Sequence, residues 1–208
     1  MTSDSTRRKI QLTAEMLFAQ EGFDRVTLRQ IARAAGQGNV AAVQYHFGSK
    51  QGLLESIAET HRTQIDARRE TLLAERAETE PSDQLAALLE VLIIPLTEKL
   101  DTASGRAYLR IQAEGLARTE MGPATRALTQ RIGRQLEDDG EEAASHRSQP
   151  SNRSEAFPSE QRNRFLILLI FHALADRARL EENTEGASED RKLFIESLNR
   201  AVSGILRA

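Results

Sequence analysis

No cysteine and no tryptophan occur among the 208 residues. The first absence removes a disulfide framework, a thiolate metal site and a cysteine nucleophile together, and it is compatible with a reducing cytoplasm. Histidine offers no metal site either. His46, His61, His146 and His172 show no ligand spacing of the H-E-x-x-H kind. A glycine-rich phosphate cradle is also missing. The acidic run Asp138, Asp139, Glu141, Glu142 reads as a solvated helix end, and His172, beside an apolar run, as an interface residue. With no catalytic constellation, the chain is expected not to be an enzyme and to need no cofactor and no metal; an all-helical enzyme is set aside.

Long hydrophobic stretches are absent too. The longest, Phe165 to Phe171, is closed by Arg164 and His172 and falls far short of the roughly 18 residues that span a bilayer. The opening MTSDSTRRKIQLTAEM is basic without the continuous apolar core of a secretory signal. The expected location is therefore the cytoplasm, with no membrane partner. Strand-like alternation and internal repeats do not occur either.

What is present is helical periodicity in a chain long enough for a sizeable core, with 39% hydrophobic and 28% charged residues. Net charge is −3, but it is unevenly spread. Residues 1–50 carry seven Lys/Arg against four acids, a net +3, whereas the remaining 158 carry 21 against 27, a net −6. A cationic head on an acidic body suits a protein that presents one end to a polyanion. The acidic total counts against the alternative of a non-specific architectural DNA-binding protein, which is usually basic throughout.

Ile10, Ala14, Leu17 and Phe18 recur at helical spacing, and Gly22 follows as a terminator. Thr27-Leu28-Arg29-Gln30 then has the form of a capping box, with Val26 and Ile31 placed as a hydrophobic staple. This second helix ends near Ala35-Gly36. After a turn through Gln37, Gly38 and Asn39, with Asn39 as cap, a third helix runs to about Phe47. Gly48-Ser49 leads into a fourth helix from Lys50 to about Ala77. Later helices are expected at 82–101, 104–120, 123–145, 160–183 and 189–207, with a kink at Pro95. The Ser/Pro-rich centre of 137–160, about 146–158, reads as a mobile loop.

A short capped helix, a tight turn and a second short helix form a helix-turn-helix, whose second helix enters the major groove by its N-terminal residues. Here these are Val40, Ala41, Ala42 and Gln44. Small side chains let the helix sit deep, and Gln44 suits a bidentate contact to adenine. Arg29 is expected to reach guanine or a phosphate. Lys50 stands at a helix start, where the macrodipole disfavours a cation, and a phosphate held by free amides and Lys50 would reverse that. Thr27 offers a similar phosphate seat, with Asn39, Tyr45 and His46 nearby.

The segment Gly22-Phe23, Thr27-Leu28-Arg29-Gln30-Ile31-Ala32, Ala35-Gly36 and Tyr45-His46-Phe47-Gly48-Ser49-Lys50-Gln51-Gly52-Leu53-Leu54 resembles the DNA-binding domain of the tetracycline-repressor (TetR) family, over about residues 6–55. It departs from the common pattern by one extra residue between Ala35-Gly36 and His46-Phe47, and by Gln44 where the family usually has tyrosine. The added residue rotates the start of the reading helix. That favours phosphate contacts by Tyr45, His46 and Lys50 over base contacts by Val40 and Ala41. The resemblance implies a repressor that releases an operator, an inverted repeat of double-stranded DNA, when a small-molecule effector binds the larger C-terminal part.

The whole is thus expected to be all-α: an N-terminal three-helix helix-turn-helix domain, 1–49, and a larger helical effector-binding and dimerisation domain, 50–208. A homodimer is expected because one small module covers too little DNA to be selective. FLILLIF must be covered on every side, so Phe165, Leu168, Leu169 and His172, with the stripe Phe194, Leu198, Ala201, Ile205, are the expected seam. A four-helix interface there is also what the resemblance implies. The family's effector site falls among the fourth to seventh helices, where the candidates are Leu92, Pro95, Leu96, Tyr108 and Ile111. Tyr108 stands out because a buried phenol needs a hydrogen-bond partner.

Overall fold

The computed structural model describes residues 3–77, 83–115, 122–145, 159–184 and 190–207, with side-chain surroundings given for these except 77, 140–145, 159–160 and 207. Among them run nine α-helices: α1 (Ser3–Glu21), α2 (Leu28–Ala34), α3 (Ala41–Phe47), α4 (Lys50–Ala77), α5 (Gln84–Thr97), α6 (Ala103–Gly115), α7 (Pro123–Ser145), α8 (Ser159–Asn183) and α9 (Arg191–Arg207). The all-α expectation holds. The expected loop at 146–158 lies outside the described residues, as do 116–120 of the expected sixth helix.

The fifth helix is shorter than its apolar pattern suggested. Pro95 is buried within α5, and the chain leaves α-geometry two residues later for a 3-10 turn, Glu98–Asp101. Proline has no amide to give the carbonyl four residues back, so the helix loses a rung there. Asp83 caps the other end, its Oδ1 accepting from the Ala86 amide at 2.9 Å.

Two hydrophobic cores result. The smaller gathers Ile10, Ala14 and Phe18 of α1 with Ile31, Val43, Leu53, Leu54 and Ile57. It also takes in Ala107 and Ile111 of α6. The larger is organised around α5, whose Leu85, Leu89, Val91, Leu92, Ile93 and Leu96 are all buried, as befits a helix covered on every side. Tyr108 and Leu109 of α6 belong to this second core, so α6 serves both. Arg110 strengthens the junction, donating to the Ala19 carbonyl at 2.5 Å and to Glu182 at 2.7 Å.

Beside Tyr108 a buried polar cluster crosses the same boundary. His61 of α4 donates from Nε2 to Glu15 Oε1 of α1 at 2.6 Å, and the Ser104 hydroxyl of α6 donates to Glu15 Oε2 at 2.6 Å. Glu15 is 2% exposed and His61 5%, and a buried carboxylate survives only with such donors.

Candidate nucleic-acid interface

Local chemistry sets the α2–turn–α3 unit almost residue by residue. Thr27 and Gln30 form the full capping box: Thr27 Oγ1 accepts from the Gln30 amide at 3.2 Å, and Gln30 Oε1 accepts from the Thr27 amide at 2.8 Å. At the other end of α2, Gly36 has φ +69°. Its amide donates to Arg33 O at 3.1 Å, and the Gln37 amide reaches Ala32 O at 2.8 Å. This pair of bonds is a Schellman closure, which favours glycine at that left-handed position. Asn39 is not the cap expected of it: Val40 holds the cap position of α3, and Asn39, one residue earlier, closes an Asx turn, its Oδ1 accepting from the Ala41 amide at 2.6 Å.

The junction after α3 is built as tightly. Ser49 caps α4, its Oγ accepting from the Gly52 amide at 3.0 Å. A side chain at Gly52 would push its Cβ deep into the Phe47 carbonyl oxygen, so the end of α3 lies directly on the first turn of α4. Sequence reasoning passed over both roles. The signal was a glycine at the third position of a helix, where a better helix former would otherwise stand.

Lys50 departs from its expected task. Its ammonium points inward, donating to the carbonyls of Phe23 at 2.9 Å, Val26 at 3.0 Å and Asp24 at 3.4 Å, and it lies 4.4 Å from the centre of the Phe23 ring. An ammonium has three donors, and all three are aimed at backbone. The unfavourable cation at a helix start is thus balanced by carbonyls of the α1–α2 loop rather than by phosphate. Lys50 clamps that loop to α4.

The outward face of α3 carries Ala41, Gln44 and Tyr45, all exposed, with Tyr45 83% exposed. His46 is half-buried, its ring 5.1 Å from that of Tyr45. Val40 and Ala42, by contrast, are partly buried against the small core, so Val40 leaves the expected reading set. Thr27, Arg29, Arg33 and Asn39 are exposed as well. Arg7 steadies the back of α3, its guanidinium 5.1 Å from the Phe47 ring centre and 3.0 Å from Ser56 Oγ.

The interior candidates divide. Leu92, Pro95, Leu96 and Tyr108 are buried, and of these Leu96 and Tyr108 line a cavity of about 20 Å³ between α4, α5, α6, α7 and α8. Ile111 faces the other way, into the small core, because α6 is apolar on two sides. Polar lining from Arg62, Asp66, Arg69 and Thr125 was not anticipated. Burial raises the pKa of the Tyr108 phenol, so it stays a neutral donor. Among the described residues no group of three or more His, Asp or Glu is placed to hold a metal, and no helix is long and apolar enough to cross a membrane.

The expected seam also divides. Phe165 (56% exposed), His172, Ala201 and Ile205 (51%) face outward, joined by Leu180 and Leu193. Leu168, Leu169 and Phe194 are half-buried, and the Arg177 guanidinium lies 5.3 Å from the Phe194 ring centre. Leu198 is buried in the large core with Val202, a correction to the stripe read from the sequence.

Residues 10–57 match the family model of the bacterial regulatory proteins of the tetR family. Over 53 residues the chain is 45% identical to the probable HTH-type transcriptional regulator YttP of Bacillus subtilis (strain 168). That stretch is 26% of this chain and 25% of YttP, so the chain matches about a quarter of its curated relative's length. In structure the chain is similar to NalD, the secondary repressor of the MexAB-OprM multidrug efflux pump in Pseudomonas aeruginosa. The identity is 25%, 95% of each chain is covered, and the TM-score is 0.51. It shares its fold with the probable transcriptional regulatory protein RHA5900, at 19% identity, 93% of this chain and 97% of that one, and TM-score 0.56. The capped unit from Thr27 to Phe47 thus lies within a segment that matches the tetR family of bacterial regulatory proteins, and the described helical body is similar in shape to NalD.

Proposed function

We propose that the protein is a sequence-specific DNA-binding transcriptional repressor of the cytoplasm that leaves its operator when a small molecule binds its helical body. Residues 1–49 hold the DNA-binding module and 50–208 the effector and dimer surfaces. The observation that carries this is α3 itself: a seven-residue helix, fixed at both ends, that turns Ala41, Gln44 and Tyr45 outward. Ala41 and Gln44 read base edges, with Gln44 set for adenine. Thr27, Arg29, Asn39, Tyr45 and His46 meet the phosphates on either side and set the register.

Two copies pair through the exposed apolar faces of α8 and α9, centred on Phe165, Leu193 and Ile205, and so address an inverted repeat. The contact of Phe47 with Gly52 supports the coupling, because a tilt of α4 must carry α3 with it. Effector binding that favours one tilt changes the spacing of the two heads, and a coupling of about 1–3 kcal/mol is ordinary for such proteins.

The test is a footprint of the purified protein on the DNA flanking its own gene, with competitor DNA and a salt series. A protected inverted repeat that survives competitor is the expected result. Uniform, competitor-sensitive binding would overturn the reading.

A further inference from the structure

The cavity beside Tyr108 is distinguished by what faces it. At about 20 Å³ it has room for about one water. Arg69 on its wall is only 4% exposed. Its Nη1 donates to Asp66 Oδ1 at 3.0 Å and to Thr125 Oγ1 at 2.7 Å, while its Nε is buried with no partner. A buried charged donor without an acceptor is among the costlier defects an interior can hold, and burial accordingly lowers the pKa of this guanidinium. The defect marks a place for an acceptor atom.

Charge decides which kind of acceptor. Two guanidiniums, Arg62 and Arg69, face the space against one carboxylate, Asp66. The remaining partners of Arg62 are Glu55 and Glu59, whose side chains are 41% and 65% exposed on the outer side of α4. Within the cavity the balance is positive, and the other walls, from α5 and α8, are apolar. Building on the reading of the protein as effector-controlled, we propose that this cavity seats the carboxylate of an apolar monocarboxylic acid. Arg69 Nε and the Thr125 hydroxyl hold its oxygens, and the tail enters against Leu96 and Phe171.

The signal then has a short way to travel. Tyr108 lines the cavity, meets the Phe171 ring edge-on at 6.2 Å, and stacks face to face on His61 with ring centres 4.3 Å apart. His61 in turn holds Glu15 of α1. A tail that displaces Tyr108 therefore disturbs the pair that ties the DNA-binding head to α4.

The two tyrosines and the absence of tryptophan provide the readout. In a Tyr45→Phe background Tyr108 is the sole tyrosine, and its emission reports on the cavity. Octanoate and 4-phenylbutyrate are titrated against their own amides and amines. The acids should change the emission saturably and bind about tenfold more tightly than the amides, with the amines inert. Arg69→Lys keeps the charge but removes Nε, and Thr125→Val removes the hydroxyl; each should abolish the preference for acid over amide. Should Arg69→Lys melt early, Thr125→Val decides alone. Amides equal to acids, or no response to either acid, would overturn the proposal. Loss of this selectivity with a footprint intact sinks only the carboxylate seat. Acid binding without any operator leaves the seat standing and sinks the repressor reading.

Discussion

Lys50 and Gly52 show how much of a recognition module is spent on holding rather than touching. Lys50→Met keeps the stem but strips the cation from three carbonyls. Stability should fall by about 2 kcal/mol in urea titration, while the dependence of DNA affinity on salt stays unchanged. A residue that touched phosphate directly would instead lower that slope by about one unit. For Gly52→Ala, the added methyl drives Phe47 off α4. A loss of about 1–3 kcal/mol in stability is expected, with DNA binding falling further than stability explains. Gln44→Ala touches neither core, and it should relax discrimination at one base pair by about 1–3 kcal/mol with the melting temperature unmoved. The inward turn of Lys50 could not be read from the sequence, because its acceptors are backbone carbonyls 24 to 27 positions away. Side-chain type carries no trace of them.

Among the elements, those governed by neighbours in sequence were legible and those governed by partners in space were not. The capping box at Thr27 was visible because all its atoms lie within four residues. Its removal should matter, since α2 has only seven residues and cannot stand alone. Thr27→Ala is expected to cost about 1 kcal/mol by chemical denaturation, with weaker DNA binding for all sequences alike. The inward turn of Leu198 was hidden because α9 carries Leu193, Phe194, Leu198, Ala201, Val202 and Ile205 in a wide belt. Periodicity locates such a belt but does not say which edge meets the protein's own core. Ile111 failed as a pocket residue for the same reason: α6 buries two faces.

For the whole molecule, the cationic head read from the sequence includes exposed arginines on and beside the capped unit, Arg25, Arg29 and Arg33. The exposed apolar face of α8 and α9 gives the clearest prediction at this scale. Phe165→Asp combined with Leu193→Asp should convert the proposed dimer to a monomer in sedimentation. Because both side chains are more than half exposed, secondary structure should survive. Operator affinity should collapse, since one head contributes only half of the phosphate contacts.

Helix α6 belongs to two cores at once, lending Ala107 and Ile111 to one and Tyr108 and Leu109 to the other. A fragment ending near residue 57 would leave the apolar side of α1 open to water where α6 had lain. Heating should accordingly give one calorimetric transition rather than two. The same sharing restricts modular exchange: a foreign head grafted onto this body would inherit a misfitting sixth helix. Chimeras should regain stability only when positions 107 and 111 travel with the head they cover.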